Sequence, residues 1–234
     1  MASDLTPAPA TWPRIVAAHL LPGVFAVAVF AGTAPLLHRA GYPPVWGMIL
    51  AVLFVVVPVE VVLLRRSGHR PDLALPSRAD VLRRLLPTLV AALLAPGMLA
   101  WLEPALQHLF GRVLPVWWRL DPVPAQAPAW HTILTVVGWL LAFVVVGPIV
   151  EEAYFRGVLL PAIPARPAVA VLTNAALFTV YHLWQPATWL TVFVFTLPLT
   201  IVARRPGGVV VAMIVHCGVN AVTYAALLAG LAHR

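Results

Sequence analysis

The chain has no lysine and a single cysteine, and only 10% of its 234 residues are charged. Each scarcity excludes something. A soluble globular domain carries roughly a quarter of its residues as Asp, Glu, Lys and Arg. A chain with less than half that share cannot cover a water-facing surface. One cysteine, Cys217, excludes an internal disulfide and any multi-cysteine zinc or iron–sulfur site. What fills the space is apolar: 62% of residues are hydrophobic and the mean hydropathy is +0.93. The composition is that of an integral membrane protein. It rules out a soluble enzyme, a disordered tail and a nucleic-acid-binding module together.

All 15 basic residues are arginine, against 8 acids, for a net charge of +7. An isoelectric point near 11.0 would point to nucleic acid in a soluble protein. Here the arginines sit between apolar runs, where they set topology and meet anionic headgroups. Seven runs are long enough to span: 14–37, 44–64, 82–102, 130–161, 168–185, 187–203 and 208–230. The expected fold is all-α, a polytopic membrane helix bundle of about seven transmembrane helices. The first run is too long for a signal peptide and lacks basic residues before Arg14, so it reads as an uncleaved helix. Arg65, Arg66, Arg70, Arg78, Arg83 and Arg84 follow the second run, Arg166 the fourth, and Arg204 and Arg205 the sixth. With alternating spans these share one side, which the positive-inside rule makes cytoplasmic. That puts the N-terminus inside and the C-terminus outside, in what reads as a bacterial inner membrane. The segment 103–129, with Pro115, Trp117, Trp118, Pro122, Pro124 and Pro128, reads as an outer interfacial loop. The chain then divides into 1–129, three helices with that loop, and 130–234, four helices with the chemistry.

Of the eight acids, only Glu60, Glu151 and Glu152 fall inside apolar runs. An ionisable group at bilayer depth costs about 2.5–3.5 kcal/mol on insertion scales, so its presence calls for a reason. Glu152 and Arg156 stand four apart on one helix face, with the acid on the favourable N-terminal side, and can pair. Glu151 is turned about 100° away and is left free to face a cavity, as a general base or acid requires. Phe178 and His182 share a face, with Asn174 one turn back; His216 and Asn220 share another, with Tyr224 one turn on. Counted from the cytoplasmic ends, Glu151, His182 and His216 lie roughly 15, 21 and 12 Å deep, so one pocket could hold all three. Pro148 frees the carbonyl of Val144 and can kink the helix there. Glu60, close to Arg65, can snorkel and reads as structural. His19 reads as a packing residue, and Phe178 as one that shapes the pocket. Cys217 points about 100° away from His216 on the helix and makes no Cys–His nucleophile.

In order, Glu151-Glu152-Ala153-Tyr154-Phe155-Arg156, Phe178 to His182 and His216 to Asn220 read E-E-x-x-x-R, F-x-x-x-H and H-x-x-x-N. On three late membrane helices, this set resembles the CPBP family of intramembrane glutamic endopeptidases. That is the family of the CAAX prenyl proteases and the bacterial Abi membrane proteins. The resemblance covers about 130–230 and implies a metal-independent peptidase with no cofactor. Glu151 and His182 would activate water, His216 and Asn220 would stabilise the oxyanion, and Glu152, Arg156 and Phe178 would support them. The partners it implies are the lipid bilayer and a membrane-associated protein or peptide, such as one bearing a C-terminal processing signal; nucleic acid is not among them. Two histidines and two glutamates could instead bind zinc, but no H-E-x-x-H is present and the histidines lie on different helices. The reading from another class is a non-catalytic transporter, scaffold or bacteriocin-immunity factor, against which the lack of an internal repeat counts.

Overall fold

The computed structural model describes residues 11–118 and 128–232, and every regular element among them is helical. Pro122 and Pro124 of the expected interfacial loop lie outside the described residues. Eight helices follow in order: α1 Trp12–Arg39, α2 Val45–Arg66, α3 Arg78–Leu99, α4 Glu103–Gly111, α5 Ala129–Ala162, α6 Pro167–Tyr181, α7 Trp189–Ala203 and α8 Gly208–Ala232. Six of them are long and apolar enough to cross a membrane, α7 by way of the helical turn from Pro186 that leads into it; α6 is apolar but shorter and α4 is a short outlier. The protein is an integral membrane helix bundle.

Proline organises the long helices in one repeated way. α2 opens into a π turn at Val52–Val56, and α5 does so twice, at Leu140–Val146 and Glu152–Leu159. Each widened turn ends two residues before a proline: Pro58, Pro148 and Pro161. The N–H just ahead of each reaches back five residues, Val57 to Val52, Gly147 to Ala142 and Leu160 to Phe155. A proline ring clashes with the carbonyl four residues earlier, and one extra residue in the turn relieves that clash. This corrects the expectation for Pro148. In the wider register its missing N–H orphans Phe143 rather than Val144, and Phe143 finds a partner on another helix.

The fifth span also differs from its expected range of 168–185. α6 stops at Tyr181 after 15 residues, about 22 Å at 1.5 Å each, well short of a 30 Å core. His182 is therefore the residue that caps α6, and residues 182–188 turn within the bundle. Irregular backbone at such depth is tolerated only where protein or a cavity satisfies it. Two indoles do so: Trp189 Nε1 donates to the His182 carbonyl at 2.9 Å and Trp118 Nε1 to the Trp184 carbonyl at 2.8 Å. On the other side Gly23 of α1 lies so close that a Cβ would overlap the Tyr181 carbonyl oxygen. Gly23→Ala must push α1 off the end of α6, an overpacking cost of about 1–3 kcal/mol. A lowered melting midpoint in detergent is the expected result; an unchanged midpoint would mean the helices part freely here.

At one end of the bundle the arginine-bearing segments meet. Arg84 Nη1 donates to the Pro206 carbonyl at 2.7 Å. Gly207, at φ +65°, donates its N–H to Asp72 Oδ2 at 2.9 Å. The Gly207 N–H, and after it that of Ala74, hold the exposed Asp72 carboxyl below its ordinary value of 3.8. Bonding to the charged form lowers the value, so this tether is whole above pH 3.8 and is lost as pH falls through the lowered one. NMR titration of the Gly207 amide should give a midpoint below 3.8, absent in Asp72→Asn. A midpoint at or above that value would deny the bond.

Candidate active site

The stretch of α5 from Trp139 through its first π turn to Glu151, the end of α6 and the middle of α8 surround a cavity of about 290 Å³. Glu151, His182, His216 and Asn220 all line it, with Trp184 and Gln185 from the buried turn. The structure thus brings together four residues drawn from three motifs and separated by up to 69 positions.

The two adjacent glutamates part as their positions on the helix require. Glu152 is fully buried and its Oε1 stands 3.2 Å from Arg156 Nη1 and 2.9 Å from His216 Nδ1. Arg156 Nη2 also donates to Thr196 Oγ1 of α7. The guanidinium lies 3.9 Å over the Phe178 ring, a desolvated cation–π contact. Phe178 therefore does more than shape the pocket: it is the platform that holds Arg156 level with Glu152. Glu151, 9% exposed, accepts a hydrogen bond from the Tyr181 hydroxyl at 3.1 Å and keeps its other oxygen for the cavity.

The histidines are oriented by what they bond. His182 Nδ1 is 2.9 Å from the Phe178 carbonyl, which can only accept. Nδ1 therefore carries the hydrogen and Nε2 is bare. This contact exists because α6 ends here: the imidazole folds back over the last turn. His216 is anchored by Nδ1 on Glu152, leaving Nε2 for the cavity. Asn220 Nδ2 donates to the Phe143 carbonyl at 2.7 Å, the group that Pro148 leaves without a partner. Each amide nitrogen has two hydrogens, so one remains. Tyr224, one turn on, is spent on the Val136 carbonyl at 3.2 Å.

Residues outside this set behave as packing groups. His19 is buried, bonded to the Ile15 carbonyl at 2.8 Å and 3.1 Å from Asn174, which itself donates to Phe155 at 3.0 Å. Glu60 is a correction. It does not snorkel toward Arg65 but is fully buried, on a segment that packs against Gly147–Glu151 and Glu152–Leu159 of α5 and within reach of Tyr181. The turn at Val52–Val56 rotates this part of α2 inward, which a regular helix would not do. Tyr181 and Thr196 had no motif to mark them; Tyr181 merely precedes His182. Among the described residues, no group of three or more His, Cys, Asp or Glu is arranged to hold a metal ion.

A bundle of apolar helices thus closes around paired carboxylates, two oriented imidazoles and an amide. Residues 133–222 match the family model described as type II CAAX prenyl endopeptidase Rce1-like. The match agrees with the resemblance carried by the three motifs, and the family it describes is one of endopeptidases. No curated protein and no solved structure matches the chain.

Proposed function

We propose that the protein is a metal-independent intramembrane endopeptidase. A water in the cavity loses its proton to Glu151 while His182 Nε2, the bare nitrogen, orients it. The water oxygen attacks the peptide carbonyl; His216, as the imidazolium paired with the Glu152 carboxylate, donates from Nε2, and with the remaining Asn220 N–H it takes the charge that develops on the carbonyl oxygen. Glu151 then gives its proton to the leaving amine, so that water is consumed and the glutamate is restored. Tyr181 positions Glu151, and Glu152 positions His216. The observation that carries this is the convergence of Glu151, His182, His216 and Asn220 on one cavity, each with its second polar atom engaged outside it. The protease description of the matched family supports the same reaction class.

The substrate is a membrane-associated protein or peptide carrying a C-terminal processing signal. A second cavity of about 540 Å³ borders the first at Trp184 and Gln185 and offers it a path. In this reading the arginine-rich end of the bundle lies in the cytoplasm of a bacterial cell, with the N-terminus inside and the C-terminus outside. Residues 130–234 carry the chemistry and 1–129 frame it. The test compares membrane proteins of cells expressing the wild type with those expressing Glu151→Gln. An uncleaved precursor accumulates only in the variant, and its cleavage by purified wild type persists in a metal chelator. Identical proteomes would leave the transporter or scaffold reading; chelator-sensitive cleavage would replace the mechanism with a metal-dependent one.

A further inference from the structure

Glu60 is the buried acid that the proposed reaction leaves without a task. It is 0% exposed, and neither carboxyl oxygen makes a hydrogen bond of ordinary geometry. A buried polar group without partners calls for an explanation. The segment Val57–Arg66 packs against both Gly147–Glu151 and Glu152–Leu159 of α5. There a charge on Glu60 would be felt by the Tyr181 and Tyr154 hydroxyls, the Glu151 carboxyl and the Arg156 guanidinium, of which Tyr181 alone lies within bonding reach. The Tyr154 hydroxyl is spent on the Ala18 carbonyl at 2.9 Å, and Arg156, whose Nε makes no hydrogen bond, already pairs with Glu152, Thr196 and the Phe178 ring. Three carboxyl groups thus share one guanidinium. An ionised carboxylate here would be an uncompensated charge beside Glu151, which the interior penalises by several kcal/mol.

A neutral acid removes that difficulty and brings a hydrogen to donate. The acceptor within its view is the Tyr181 oxygen, whose own hydrogen goes to Glu151. We propose that Glu60 is a positioning residue: as the carboxylic acid it donates to the Tyr181 oxygen, and so commits the Tyr181 hydrogen to Glu151. The chain Glu60–Tyr181–Glu151 ties one oxygen of Glu151 and aims the other at the cavity, each bond polarising the next. Its role in catalysis rests on Glu151 acting as proposed above; its existence does not.

The test therefore has one arm that needs no substrate. Infrared spectra of the detergent-solubilised full chain should contain a carboxylic-acid C=O band that disappears in Glu60→Gln. The band should shift in Tyr181→Phe and stay in Glu151→Gln. In the second arm, on the accumulated precursor, Glu60→Leu lowers cleavage about tenfold and Glu60→Gln, which keeps an N–H donor, stays within about threefold of wild type. The double variant Glu60→Leu/Tyr181→Phe cleaves no more slowly than Tyr181→Phe alone, because both break one chain. An acid band that survives Glu60→Gln overturns the proposal, as do wild-type cleavage in Glu60→Leu or additive losses in the double variant. Should Glu60→Leu fail to fold, the Glu60→Gln spectrum and rate still decide. Should no precursor be cleaved, the band alone decides for Glu60 while the endopeptidase reading fails.

Discussion

Glu151→Gln is expected to lower cleavage about 10²–10⁴-fold while leaving the folded bundle intact, since that is what a positioned general base contributes. Glutamine has the same shape, and its amide oxygen still accepts from Tyr181, so the contact at 3.1 Å survives the change. What it lacks is the ability to take a proton from water. The loss should appear in the rate of precursor cleavage, with KM and the melting midpoint near those of wild type. Glu152→Gln separates the two carboxyl groups. It disturbs a fully buried pair and the anchor of His216, so it lowers stability and activity together. If Glu151→Gln still cleaves, or unfolds as Glu152→Gln does, the division of labour between the neighbours is wrong.

The largest effect on stability should come from Arg156→Met. The guanidinium is 1% exposed and holds Glu152, Thr196 and the face of Phe178 at once. Its removal strands Glu152, 0% exposed, and breaking a buried pair by deleting one partner costs about 3–5 kcal/mol. Arg156→Lys should fall between, because an ammonium offers neither the planar fork nor the stacking face. The double variant Glu152→Gln/Arg156→Met should recover part of the loss, since no uncompensated charge remains. Denaturant unfolding in detergent measures all of these. A double variant as unstable as Arg156→Met would mean that packing, rather than stranded charge, sets the cost.

The spacing of the motifs was legible because helices write proximity in steps of four: Glu152 to Arg156, Phe178 to His182 and His216 to Asn220 each turn out to share a contact or a cavity. Membrane character was legible from the scarcity of charge. The end of α6 was not. The apolar run continues through Leu183 and Trp184, and the helix stops at Tyr181 where the indoles of Trp118 and Trp189 serve the turn, partners 63 and 8 residues away. Nor was the inward turn of Glu60, because periodicity assumes regular winding and α2 departs from it just before Pro58. Tyr181 escaped for a simpler reason: its bond to Glu151 joins two helices and leaves no spacing in either.

The winding of α5 between Trp139 and Glu151 has a consequence for how such chains can vary. The π turn holds one residue more than a regular turn, within the run Leu140-Leu141-Ala142-Phe143-Val144-Val145-Val146. Loss of any single member would let the helix close to ordinary winding and swing everything beyond it by about 100°. Glu151 would then point where a neighbour now does, and the Phe143 carbonyl would no longer meet Asn220. The side chains Val144, Val145 and Val146 are chemically interchangeable, yet their number is not. They act as an angular spacer, so a one-codon deletion here should be far more damaging than almost any exchange of one apolar residue for another.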